Sequence, residues 1–272
     1  MTKLIGEIGI NFDASFKKLI KLSDMILDAG FDLIKIQLRT PELCVPKSEW
    51  DKPRQWFDGT WTTYIDYKRR MELSDEQLDM WMKKYAGVAF ASVWDIPSLE
   101  KLVKYNPPFV KIPSALMTSD ALLNATIDTG IPVIMSTGMS TINEIDHAAS
   151  LFPPNHNLVL MHCTSSYPVN DDEINLRAMK TLRDRYGVPV GYSNHSPSPM
   201  SSIISMALGA WGVEAHSTIN RSDFGSDHAA SLEKKGLELI ARERDRIPVI
   251  MGNGIKQLYA SELPSRNKLR TL

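Results

Sequence analysis

Eight short β-branched runs alternate with eight amphipathic stretches, and that beat leaves the chain few folds to choose from. The runs fall at 4–11, 31–37, 88–94, 109–114, 132–137, 158–163, 189–196 and 212–218. Helical periodicity follows each, at 15–29, 74–86, 97–104, 119–129, 141–151, 173–186, 199–209 and 231–244. Start signals are present: Ser74 with Gln77 three residues on makes a capping box, and Pro97 suits a first helical turn. Gly30, Gly87 and Gly130 mark helix ends just before the next strand. Repeated strand–helix units imply parallel strands joined by right-handed crossovers. Eight of them imply a closed (β/α)8 barrel, a TIM barrel in one domain, and 272 residues suffice for it. A dinucleotide-binding sheet would need a Gly-x-Gly-x-x-Gly turn after the first strand, and the segment from Gly9 to Ala14 lacks it.

The barrel is expected over residues 1–246, with 247–272 as a partly flexible C-terminal extension ending in a basic tail. One connection breaks the beat. Residues 39–72 hold Pro41, Pro46, Pro53 and the tryptophans Trp50, Trp56 and Trp61. A connection this long that leaves the C-terminal end of a strand reads as a lid or binding loop. A net charge of −1 argues against a general nucleic-acid or anionic-membrane binder, and no apolar run approaches a membrane span of about 20 residues. The first residues enter a strand at once, without room for a signal peptide, so a cytoplasmic protein is the expectation. Cys44 and Cys163 lie far apart without metal-knuckle spacing.

The chemistry gathers at strand ends. In the seventh run Ser193 and His195 share a face, and in the eighth Glu214 and His216 do. If those strands are neighbours, two imidazoles converge beside several oxygens, a minimum donor set for a divalent ion with open positions. Either histidine alone reads more simply as a satisfied strand-end residue; the pair favours the metal. An internal barrel strand has no structural need for charge, yet Lys35 and Lys111 sit in two of them. Each is either one half of a structural pair, Lys35 with Glu7, or a contact for an anion. With Ser114, Ser136, Thr137 and Ser193 nearby, the balance moves to phosphate plus carboxylate. A Schiff-base lysine is the rival reading, and the histidine pair argues against it.

These strand-end segments resemble one family. Glu7 to Asn11, Lys35 to Gln37, Lys111 to Ser114, Ser136 to Met139, His162 to Pro168, Gly191 to His195, Glu214 to His216 and Gly225 to Asp227 match, in order, the N-acetylneuraminate (sialic acid) synthase family. The resemblance implies condensation of phosphoenolpyruvate with the aldehyde of an N-acyl hexosamine, such as N-acetylmannosamine, to a nine-carbon α-keto sugar acid with release of phosphate. It implies that His195 and His216 hold a divalent ion, Mn2+ or else Mg2+, that polarises the aldehyde. Lys35, Lys111, Ser114, Ser136, Ser165 and Ser193 would bind phosphoenolpyruvate; Glu7, Gln37, Tyr167 and Asp227 would contact the sugar. Glu7, Lys35, Lys111, His195 and His216 would carry catalysis, in a homodimer.

Departures from the family pattern are Phe12 after Asn11, Val93 where a hydroxyl is expected near phosphate, Leu116 in place of an acid, Ser165 for an asparagine and Asn194 for an aspartate. The C-terminal antifreeze-like domain of the family is also expected to be missing. Two other readings therefore stand beside the first: a related 3-deoxy-aldulosonate synthase using another aldose, and a silent barrel that binds a sugar or a partner.

Overall fold

The computed structural model describes residues 1–270, and its centre is a closed barrel of eight parallel strands. In chain order the strands are β1 (Lys3–Gly9), β2 (Leu33–Leu38), β3 (Pro53–Gln55), β4 (Trp61–Thr63), β5 (Ala89–Val93), β6 (Val110–Ile112), β7 (Val133–Ser136), β8 (Leu158–His162), β9 (Val190–Asn194) and β10 (Gly212–His216). The barrel runs β1-β10-β9-β8-β7-β6-β5-β2 and closes from β2 to β1; β3 and β4 pair separately as an antiparallel hairpin. Every barrel strand falls on one of the eight expected runs, its ends shifted by at most two residues.

Alternation sorts side chains into two apolar layers. Leu4, Ile8, Ile34, Ile36, Val110 and Val133 point outward and pack with the surrounding helices into the main core. Each such fully buried side chain contributes roughly 1.5–3 kcal/mol. Inward, Ile5, Leu33, Phe90, Ile134, Val159 and Met161 fill the lower barrel, with Phe109 and Trp211 packed edge-on beneath them. Gly191 belongs here for lack of space: a Cβ would stand 2.5 Å from both the Gly212 carbonyl and Met161 Sδ. Above this floor the inward positions turn polar, and the functional site begins there.

The helices start where their caps demand. Ser15, Ser74, Asp95 and Thr141 accept from backbone amides of the first turn, and Ser74 and Thr141 complete reciprocal boxes with Gln77 and Glu144. Within the long connection expected at 39–72, helix Pro41–Cys44, the β3–β4 hairpin and helix Tyr64–Met71 build a small lid. Two expectations change. The helix expected at 173–186 begins only at Ala178, because Asp171–Glu173 form a 3-10 turn and Asn175 takes φ +44°. The helix expected to end at 244 runs over Lys234–Met251, through an exposed Pro248, and stops at Gly252 with φ +61°. The division drawn at residue 246 falls inside that helix. Helix Leu263–Leu269 follows on the surface; Thr271 and Leu272, the end of the expected extension, lie outside the described residues. No helix among the described residues is long and apolar enough to cross a membrane.

Candidate active site

Parallel register lifts one residue from nearly every barrel strand to the same height. Glu7 pairs in register with Lys35 and His216, Gln37 with Ser92, Ser92 with Lys111, and Glu214 with Ser193. All of these side chains line one cavity of about 200 Å³ at the C-terminal ends of the strands. The long connections add Ser114, Met139, Cys163, Ser165 and Tyr167 to its wall.

The cavity floor is a buried charge network. Lys35 Nζ lies 2.5 Å from Glu7 Oε2 and 3.7 Å from Glu214 Oε1, and donates to Ser92 Oγ at 2.7 Å. Lys111 Nζ donates to Glu214 Oε2 at 2.9 Å, and Ser193 Oγ donates to Glu214 Oε1 at 3.1 Å. Strands β6 and β10 stand four places apart in the ring of eight, so the Lys111–Glu214 pair spans the barrel's width. Burial by itself would lower the Lys35 pKa, but the Glu214 and Glu7 carboxylates outweigh it and hold the ammonium above its ordinary value. Burial by itself would raise Glu214; the Lys111 and Lys35 ammoniums reverse that and keep it ionised far below the ordinary carboxylate range. The two readings of Lys35 are thus not exclusive: it is paired with Glu7 and also faces the cavity.

Around the floor the polar groups divide by side. Under β7, Gly138 N donates to Ser114 Oγ at 3.1 Å, and Ser114 Oγ lies 3.4 Å from Cys163 Sγ. A Cβ at Gly138 would stand 2.3 Å from Ser165 Oγ and 2.8 Å from Ser114 Oγ, so only glycine lets these hydroxyls close on the backbone. On the opposite side Gln37 Nε2 donates to Glu7 Oε1 at 2.9 Å, and Arg39 donates to Gln37 Oε1.

His195 and His216 sit between these halves, with ring centres 5.6 Å apart. His195 Nδ1 donates to the Thr164 carbonyl at 2.6 Å, which leaves Nε2 with its lone pair towards the Tyr167 hydroxyl at 3.0 Å. Burial, helped by the neighbouring His216, pushes His195 down to about 4 and keeps it neutral. His216 Nδ1 is buried without a hydrogen-bond partner, and Asp227 Oδ2 stands 3.9 Å away. Two imidazoles, one oriented by a carbonyl and the other with an unsatisfied nitrogen, form a donor set that suits a divalent ion. A second grouping, Asp13, Asp223 and His228, lies elsewhere. There Lys18 Nζ already bridges both carboxylates and offsets one of their two charges, which lowers the demand for a cation.

Glu7, Lys35, Gln37, Lys111, Ser114, Ser136, Ser165, Tyr167, Ser193, His195 and His216 all reach the cavity, and Asp227 lies at its edge. Glu214, as the shared counter-charge, is the group that sequence reasoning undervalued; a glutamate in an inward position two residues before His216 was the available signal. The departure at Val93 loses its force: that side chain is fully buried in the outer core, and Ser92 faces the cavity. Leu116 likewise packs against the outer core and not on the site.

The NeuB family model matches residues 22–256. N,N'-diacetyllegionaminic acid synthase of Campylobacter jejuni is 31% identical, over 99% of this chain and 83% of its own. Human N-acetylneuraminate-9-phosphate synthase is 30% identical, over 98% of this chain and 76% of its own. The crystal structure of the N-acetylneuraminic acid (sialic acid) synthetase from Leptospira borgpetersenii, in complex with citrate, superimposes with a TM-score of 0.84 at 29% identity, covering all of this chain and 93% of that one.

Proposed function

Because the chain belongs to the NeuB family, the sialic acid synthase family, and is a transferase that forms a C–C bond with phosphoenolpyruvate, we propose that it joins this donor to the open aldehyde of an N-acyl hexosamine resembling N-acetylmannosamine. The product is a nine-carbon α-keto sugar acid. The observation that carries the reading is the convergence, in one cavity, of two ammonium groups, a set of serine hydroxyls and two imidazoles, one of them with an unpartnered nitrogen.

Lys35 and Lys111 would hold the donor's carboxylate and phosphate by charge-assisted bonds. Ser114, Ser136, Ser165 and Ser193 would complete the anion shell, with Gly138 leaving room for them. Glu7, Gln37, Tyr167 and Asp227 would hold the acceptor's hydroxyls. His195 and His216 would bind a divalent ion, Mn2+ or Mg2+, which when present supplies Lewis-acid polarisation of the aldehyde. The enol carbon forms its bond to the aldehyde carbon, and water adds to the cation left at the donor's second carbon. The C–O bond to phosphate then breaks as the ketone forms. One water proton ends on the new hydroxyl and the other on the departing phosphate. Pairing of each lysine with a carboxylate holds both side chains in place before the donor arrives, so little reorganisation remains for the reaction.

Inorganic phosphate release from phosphoenolpyruvate, with Mn2+, across a panel of N-acyl hexosamines and plain aldoses tests the proposal. Release dependent on an N-acyl hexosamine is expected. Release driven better by a plain aldose, or none in a protein that binds neither Mn2+ nor phosphoenolpyruvate, would overturn it.

A further inference from the structure

Three contacts hold the segment from Thr164 to Val169 around His195. His195 Nδ1 donates to the Thr164 carbonyl at 2.6 Å, and the Val169 amide donates to the His195 carbonyl at 3.2 Å. Between them the Tyr167 hydroxyl lies 3.0 Å from His195 Nε2. Because the ring's proton is committed to Thr164, Nε2 presents a lone pair and the hydroxyl is the donor. The Tyr167 ring lies over that of His195, with centres 4.2 Å and planes 32° apart, and meets His216 edge-on at 5.6 Å. Tyr167 therefore stands against both imidazoles at once.

This arrangement conflicts with the ion that the imidazoles would hold. A divalent ion on a histidine nitrogen sits about 2 Å along its lone pair. That is inside the 3.0 Å now spanned by the Tyr167 proton, so the ion and this hydrogen bond exclude each other. The other two contacts use Nδ1 and the backbone, and an ion on Nε2 leaves both untouched. The segment stays in place, and only the Tyr167 side chain must turn. It has room to do so: Tyr167 is 47% exposed, whereas His195 is 5% and His216 6% exposed. Its hydroxyl has no other hydrogen-bond partner among the described residues.

We propose that the Tyr167 hydroxyl competes with the metal ion for His195 Nε2, and that the displaced side chain carries this hydroxyl to the acceptor sugar. Tyr167 is then a positioning residue whose hydroxyl alternates between two partners, His195 before the ion binds and the sugar afterwards. The inference rests on the reading of His195 and His216 as metal ligands in a synthase. Its consequence is that one hydroxyl acts on two ligands with opposite sign: it weakens the ion and strengthens the sugar. A hydroxyl that only braced the segment, or one that served as a third metal ligand, would favour the ion instead.

Calorimetric titration with Mn2+, and then of the Mn2+-loaded protein with N-acetylmannosamine, tests this in the parent and in Tyr167→Phe, which keeps the ring and removes the hydroxyl. The variant should bind Mn2+ about threefold to tenfold tighter, the worth of one neutral hydrogen bond that no longer has to break, and the sugar weaker by a similar factor. Unaltered affinity for phosphoenolpyruvate reports that the variant is folded. In the parent alone, ultraviolet difference spectra should show a tyrosine change as Mn2+ binds. Mn2+ affinity that is unchanged or weaker in the variant, or no tyrosine signal in the parent, overturns the inference and leaves the metal assignment standing. If His216→Ala binds Mn2+ as well as the parent does, the ion lies elsewhere, and the metal assignment fails together with the inference. Tighter Mn2+ in the variant with no sugar binding in either protein upholds the competition for His195 and overturns the acceptor reading alone.

Discussion

Replacing Glu214 with glutamine leaves its shape and removes one charge, at the point where three contacts meet. Lys111 at 2.9 Å, Lys35 at 3.7 Å and Ser193 at 3.1 Å all converge on this carboxylate. Lys35 keeps Glu7 at 2.5 Å, so only Lys111 is left as an uncompensated buried ammonium. Breaking such a pair costs about 3–5 kcal/mol, and the amide oxygen of glutamine can still accept from Lys111, which favours about 3 kcal/mol. Against a typical total of about 5–15 kcal/mol the variant stays folded. Urea unfolding followed by tryptophan fluorescence measures the loss. Two further results follow from the geometry. Phosphoenolpyruvate should stabilise the variant more than the parent, because its negative charge replaces the missing one. The gap should also depend on pH. The Glu214 carboxyl is held below its ordinary 4.5, so its pairing stabilises the fold fully above that value and is lost as acid protonates it. The gap should therefore shrink as pH falls below 4.5. A loss under about 1 kcal/mol at neutral pH, or a gap that phosphoenolpyruvate widens, would refute the reasoning.

His216→Ala removes a nitrogen that has no partner within the protein, so Mn2+ affinity should fall by at least about tenfold in a titration, in line with the loss of a ligand; undiminished binding sinks the metal assignment. Lys111→Ala should weaken phosphoenolpyruvate by about 1.5–3 kcal/mol in calorimetry, the value of a charge-assisted contact, and unchanged affinity removes Lys111 from the donor site. Gly138→Ala puts a Cβ 2.3 Å from Ser165 Oγ, and the displaced hydroxyls should cost about 1–3 kcal/mol of stability together with donor affinity. If both quantities hold steady, the serines under β7 do not close on the donor.

The barrel was legible because its repeat is long-range and regular: each strand is apolar on both faces below and polar only at its end, as a buried parallel sheet requires. The same alternation let Ser193, His195, Glu214 and His216 be assigned to a common end before their strands were known to be neighbours. What stayed hidden depends on contacts across the barrel. That Lys111 finds Glu214, 103 residues away and on the far wall, follows from the ring order of the strands, which no local pattern encodes. Val93 misled for a related reason: a match to a motif does not say which face a residue takes, and in β5 the inward place belongs to Ser92. The hairpin inside the lid escaped because β3 and β4 are three residues each, too short for a period of two to register. The helix continues past residue 244 through Pro248, whose exposure lets the chain tolerate a missing backbone bond.

The packed lower barrel has a consequence for traffic. Ile5, Phe90, Ile134 and Met161 are wholly buried, with Phe109 and Trp211 closing the base. The site is accordingly a cup with one opening, and molecules in it cannot pass each other. Whatever lies against Lys35 and Lys111 must enter before anything that settles on the histidines and the lid, and its remnant must wait for the upper occupant to leave. On the proposed reading, phosphate set free at the bottom would be held behind the newly made sugar acid. Steady-state kinetics should show this as a fixed sequence of arrivals and departures, a property written into the barrel floor and not into any catalytic group.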